Sequence, residues 1–240
     1  MKRPRRRQQQ NLAQISRISS SLVVGTKVAG LIAVLALIAT QSGCLGLASN
    51  LMHAVGADRV PPEYKDYEDL EDCRLAVVTM TEASQYSNDA ASRFLSRRVG
   101  QILTNELDDV RLVREDEIEQ WRDEHGYDNM DFASIGKDLN AEKVVAIQVS
   151  NLTLREGQSL FRGKSDVTLQ VIDVADGSTL FIHDLDEHTF PVNAGQHVSE
   201  TTESKFQKLY LTVLAERIGR LMHPYDFADT VAMDGILANQ

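Results

Sequence analysis

The densest run of side chains able to do chemistry is His183-Asp184-Leu185-Asp186-Glu187-His188. Side chains alternate along a strand, so in an extended segment Asp184, Asp186 and His188 share one face. Two carboxylates beside an imidazole suit a divalent cation. Acid-rich strand ends are also ordinary solvated surface, and the expectation is that no metal is held there. No glycine-rich phosphate loop, G-x-S-x-G elbow, H-E-x-x-H pair or C-x-x-C pair occurs. The chain therefore reads as a non-enzyme with no cofactor, although isolated histidines and carboxylates can still converge in three dimensions. Trp121 and Tyr127 read as core or groove aromatics.

The remaining nucleophiles are two cysteines, Cys44 and Cys73. A lone pair excludes a disulfide framework. Cys73 opens an apolar run and reads as a small half-buried residue, with an intermolecular disulfide as the other reading. Cys44 follows Gln41-Ser42-Gly43 and closes a leader with Lys2, Arg3, Arg5, Arg6, Arg7, Arg17 and Lys27, no acidic residue before Asp58, and an uncharged run from Val28 to Thr40. A basic arm, an apolar segment and small residues before a cleavage point form the layout of a secretory signal. The arm orients the chain across a membrane better than it explains nucleic-acid binding.

Residues 41–44 resemble the cleavage and acylation site of bacterial lipoproteins. Gln41 departs from the leucine usual at its position, while Ser42 and Gly43 are the expected small residues. The resemblance implies cleavage before Cys44 and attachment of palmitate-type chains to it. Several chains anchor stably, since each buried methylene contributes about 0.8 kcal/mol and one chain alone binds only marginally. An uncleaved membrane anchor is the rival reading, because no charge occurs from Val28 through Met52 and a span needs about 20 apolar residues. Gln41, Ser42, Gly43, Ser49 and Asn50 shorten the strongly apolar part toward signal length, which favours cleavage.

The leader's seven basic residues are part of 25 Lys and Arg set against 35 Asp and Glu, so the rest of the chain has a formal charge of −17. Such a body is repelled by nucleic acid and by anionic lipid heads. Attachment to a membrane therefore rests on the amino-terminal anchor. Residues 45–70, with Pro61-Pro62 and an acidic second half, read as a flexible tether, residues 71–224 as one domain, and residues 225–240 as a tail.

Within the domain, RLAVVTM at 74–80 reads as a central strand buried on both faces. Ser87-Asn88-Asp89 offers an N-cap to a helix with Ala91, Phe94, Leu95, Val99, Ile102, Leu103 and Leu107 on one side and Arg93, Arg97, Arg98 and Glu106 mostly on a solvated face. Val110 to Val113 is a short strand. Glu115 to Trp121 opens an acid-rich second helix that ends at His125-Gly126, and Asp131 caps a third. KVVAIQV at 143–149 is another buried strand. From Phe161, apolar and polar residues alternate toward an Asp176-Gly177 hairpin and a strand over 178–184. Phe206 to Leu221 repeats at helical spacing as a long final helix.

Three local patterns in this order, RLAVVTM leading into NDAASRFLSRRVGQIL, then VRLVREDEIEQW, then IGKDLNAEKVVAIQVSNL running into GKSDVTLQVIDVADGSTLF, are similar to one group of periplasmic lipoprotein domains. The group comprises the curli-secretion (CsgG-like), penicillin-binding-protein-activator (LpoB-like) and TolB amino-terminal domains. The resemblance covers about residues 73–221. It implies an α/β sandwich of two or three layers, with a mixed sheet of about five strands. It also implies a docking or assembly module for cell-envelope proteins, compatible with an oligomer. By the same resemblance the domain stands in the periplasm, and Leu45 after the cysteine points toward the outer membrane. A subunit of an envelope secretion or transport complex is the alternative. Spanning hairpins of the curli type need an apolar outer band, which the charges before Val167 and after Ile182 do not supply.

Overall fold

The computed structural model describes residues 59–85 and 89–226. In chain order the elements are β1 (Arg59–Val60), β2 (Arg74–Thr81), α1 (Ala90–Glu106), β3 (Arg111–Leu112), α2 (Glu115–His125), α3 (Phe132–Asp138), β4 (Lys143–Glu156), β5 (Leu160–Asp173), β6 (Thr179–Phe190), β7 (Gln196–His197), α4 (Glu203–Gly219) and β8 (Tyr225–Asp226). Among the described residues no helix is long and apolar enough to cross a membrane.

The architecture is α/β, built on a six-stranded mixed sheet of order β3-β2-β4-β5-β6 with β7 paired to β5. Strands β3, β2 and β4 are parallel, while β5 and β6 run antiparallel to their neighbours. The run RLAVVTMT becomes β2 because a central parallel strand covered on both faces needs unbroken apolar residues, and all but Arg74 are buried. The crossovers that lead from β2 to β3 and from β3 to β4 each include a helix with a side-chain cap. Asp89 accepts from the Ser92 amide at 3.0 Å, and Asp131 from the Ser134 amide at 3.0 Å.

Helices α1 and α4 cover one face. Leu95, Leu103 and Leu214 are fully buried there against Val145, Leu169 and Val171, each contributing roughly 1.5–3 kcal/mol of burial before entropy is counted. Helices α2 and α3 cover the other face, where Trp121, Phe132 and Ile135 meet Val78, Ala146 and Ile172. The expected α/β sandwich is present and takes the three-layer form of the two expected, with one strand more in the sheet and a separate two-stranded pair of β1 and β8.

The tether expected over 45–70 is corrected at its second half. Tyr64 and Leu70 are buried in the core, the Tyr64 amide donates to the Leu221 carbonyl at 2.9 Å, and its ring lies 5.2 Å from Phe181. An isolated tyrosine and leucine among acidic residues have no periodicity to announce them, yet both plug the end of the sheet where β2 begins. Tyr225 and Asp226, expected in the tail, pair with Val60 and Arg59. Residues 59–70 and 225–226 thus pack with the domain.

The sheet is uneven at its two ends. Strand β3 is two residues long and pairs only with Arg74 and Leu75, so among the described residues no strand lies beside the outer edge of β2 beyond that point. Strands β4 and β5 are 14 residues each, and β4 leaves β2 after Val149. The remaining hairpin projects about 23 Å past β2 at ~3.3 Å per residue, braced by the Phe161–Phe206 ring contact at 5.4 Å and by Arg155–Glu203 at 2.5 Å.

Candidate functional site

Gln41, Ser42, Gly43 and Cys44 lie outside the described residues. Asp184, Asp186 and His188 all fall on β6, which runs to Phe190, six residues past the expected end at 184. They do not share a face. Ser165 pairs with His188 and Val167 with Leu185, so three steps of β6 oppose two of β5. Glu187 takes up the extra residue with φ 47°, and its amide donates to Asp166 Oδ1 at 2.8 Å. This bulge reverses the alternation. Asp184 accepts from Thr168 Oγ1 at 2.6 Å on the face opposite α4, whereas His188 turns to the α4 face, 5.9 Å from the Tyr210 ring. Among the described residues no group of three or more His, Cys, Asp or Glu side chains is placed to hold a metal ion.

Cys73 is buried at 4% exposure, with its thiol donating to the Leu70 carbonyl at 3.0 Å. Desolvation pushes the thiol up to about 11, so at neutral pH it is a protonated core group.

The concave feature best equipped for binding lies beside the unpaired edge of β2. Strand β2 connects through α1 on one face and β3 through α2 on the other, so the crevice between their carboxyl ends is a topological switch point, where open α/β sheets take ligands. Its volume is about 320 Å³, and its floor is largely apolar, formed by Val77, Val78, Leu112, Val113 and Ile118. Helix α1 approaches closely because residue 100 is glycine: a Cβ there would stand 3.0 Å from Leu112 Cδ1.

Side chains replace the missing strand along this edge. The Thr79 amide donates to Ser96 Oγ at 3.0 Å, and the Thr81 amide to Ser84 Oγ at 2.7 Å. Arg122 is buried at 7% exposure with no carboxylate bonded to it. Its Nη2 donates to the Ser84 and Tyr127 carbonyls at 3.1 and 2.9 Å, its Nη1 reaches the Thr79 carbonyl at 3.5 Å, and its carbon centre sits 5.0 Å over the Tyr127 ring. Desolvation lowers its pKa. Tyr127 is thus a groove aromatic, while Trp121 is a core residue whose Nε1 donates to Asp138 at 2.8 Å.

Arginine and glutamate line the rim. Arg97 makes two bonds to Glu115 Oε2 at 3.1 and 2.6 Å. Arg93 Nε stands 3.6 Å from Glu119 Oε1, beyond hydrogen-bond reach. Glu115 Oε1 and Glu119 Oε1 are both buried without a hydrogen-bond partner. The crevice escapes a sequence reading because Arg93 and Arg97 have the pattern of a solvated helix face. The usable signal was a two-residue strand followed by glutamates four apart, which stack on one helix face.

The molecule is defined by an open mixed sheet with helices on both faces. No family model and no curated protein sequence matches the chain. Solved structures similar in outline include a PelC dodecamer from Paraburkholderia phytofirmans, at 14% identity over 64% of this chain and 89% of that one with a TM-score of 0.36. Lipoprotein GNA1162 from Neisseria meningitidis is similar at 10% identity over 60% of this chain and 96% of that one, with a TM-score of 0.39. The LpoB C-terminal domain from Salmonella enterica is similar at 14% identity over 48% of this chain and 82% of that one, with a TM-score of 0.31.

Proposed function

We propose that this protein is a lipid-anchored component of the bacterial cell envelope whose α/β domain serves as a non-catalytic adaptor or assembly factor. The observation that carries the proposal is the charge reversal around Cys44. Seven basic residues and an apolar run precede Gln41-Ser42-Gly43-Cys44, and the body beyond them stands at −17. A domain of that charge takes no grip from anionic lipid, so the acylated cysteine is its attachment and the aqueous side of the envelope its workplace. Its partners are other envelope proteins.

Intact-mass measurement on the membrane-extracted protein tests the anchor. An acylated species beginning at Cys44, lost in Cys44→Ser, supports it. A full-length mass replaces it with a retained membrane helix. Affinity capture from detergent-solubilised envelopes tests the adaptor role, with a stoichiometric protein partner as the expected result and repeated failure counting against it.

The second reading, a subunit of an oligomeric secretion or transport complex, draws on the edge of β6, where Ile182 is 60% exposed. Ring-shaped oligomers in detergent support that reading, and a strict monomer dismisses it.

A further inference from the structure

We infer that the crevice at the edge of β2 binds a small zwitterion with an apolar body, an α-amino acid of the leucine type. The inference is independent of the anchor and of the adaptor role.

It rests on what the crevice leaves unmade. Glu115 Oε1 and Glu119 Oε1 are buried acceptors with no donor, and such groups are costly to leave unpaired, more so when charged. They sit one turn apart on the same face of α2. Among the described residues the Arg93 guanidinium makes no hydrogen bond, and its one ion pair is with Glu119 Oε1 at 3.6 Å. Arg122 in the same wall is a buried cation bonded to carbonyls only.

A purely cationic ligand satisfies the two carboxylate oxygens and meets the positive charges of Arg93 and Arg122, the latter offset by Glu119 through space with no carboxylate bonded to it. A purely anionic one satisfies Arg93 and faces the two glutamates. Only a ligand with both signs completes both sets, as charge-assisted hydrogen bonds. Arg93 and Glu119 stand within 4 Å of each other, so the ligand's two charges must also be adjacent. The ammonium and carboxylate of an α-amino acid are joined through a single carbon. The floor of Val77, Leu112 and Ile118 supplies the apolar contact for the side chain, and 320 Å³ lies at the small end of ligand-sized sites.

The test is isothermal titration of the full-length protein in detergent with three matched probes. These are L-leucine, isoamylamine (which lacks the carboxylate) and 4-methylpentanoate (which lacks the ammonium). Leucine is expected to bind saturably, with the amine and the acid each at least about tenfold weaker, the loss of one charge-assisted contact. Glu119→Gln and Arg93→Gln should each weaken leucine by a similar factor, and Asp186→Asn on β6 should leave it unchanged. Circular dichroism and thermal melting establish that each variant is folded, since both crevice residues are partly exposed. No saturable binding of leucine at millimolar concentration, equal affinity for the three probes, tighter binding of the amine, or full leucine affinity in folded Glu119→Gln would overturn the assignment.

Discussion

The Tyr210 hydroxyl lies 2.7 Å from Ser165 Oγ and donates to the His188 carbonyl at 3.0 Å, so Ser165 donates to the tyrosine oxygen. Helix α4 is thereby tied to β5 and β6 at one buried point. Desolvation raises the phenol to about 12, so it stays protonated throughout the physiological range. Tyr210→Phe is expected to cost about 1–3 kcal/mol in urea unfolding, since two partners lose a bond.

The ring reaches that point only because residue 163 is glycine. A Cβ there would come 2.0 Å from Tyr210 Cδ2. Gly163→Ala should therefore destabilise by about 3 kcal/mol, at the upper end for overpacking. The double variant Gly163→Ala with Tyr210→Ala should recover part of that loss, read as non-additivity in a double-mutant cycle.

His188 gives the domain a stability that depends on pH. Burial lowers its pKa, with the charge of Arg217 acting in the same direction, and its Nε2 has no hydrogen-bond partner. The unfolded chain takes up a proton below about pH 6.5, while the folded one resists until lower pH. The contribution is fully present above about pH 6.5 and is lost as pH falls toward the folded value. Urea midpoints measured from pH 7.5 downward should fall in that window, and His188→Leu should flatten the slope.

Cys73 should behave as a core thiol. In a Cys44→Ser background, thiol titration of native protein at pH 8 is expected to be slow, and one equivalent should react at once in denaturant. Rapid native labelling would contradict the buried position and the raised pKa of about 11.

Arg122 holds α2 to the end of β2 through carbonyls on three segments. Arg122→Met keeps the apolar stem and removes the donors, leaving those acceptors bare. The expected loss is about 3 kcal/mol by chemical denaturation. Arg122→Lys should recover little of it, because one ammonium cannot span the fork of a guanidinium.

The order of strands and helices was legible because burial imposes period on β2, β4, β5 and the three long helices, and because Asp89, Asp131, Gly126 and Gly177 mark helix ends and a turn. What escaped lacks period. Tyr64 and Leu70 join the core as single anchors in an acidic segment. Glu187 inserts one residue into β6, so alternation read from Asp184 placed His188 on the wrong face. The crevice is made by the brevity of β3 and by pairings of Arg93 with Glu119 and of Arg97 with Glu115, relations between distant residues that exist only after folding. Whether Cys44 takes lipid was a matter of local motif throughout.

The extra residue at Glu187 bears on how the molecule behaves in a crowd. Strand β6 is the open margin of the sheet, 12 residues long, and a margin of that length invites a neighbour's strand to continue the ladder. At Glu187 the backbone steps out of register and twists. A strand arriving from solvent would meet a regular row only from Phe181 to Leu185, since the pairing also shifts between Thr179 and Phe181. Beyond that, the same irregularity that separates Asp186 from His188 breaks the template that a neighbouring strand would need to continue the ladder.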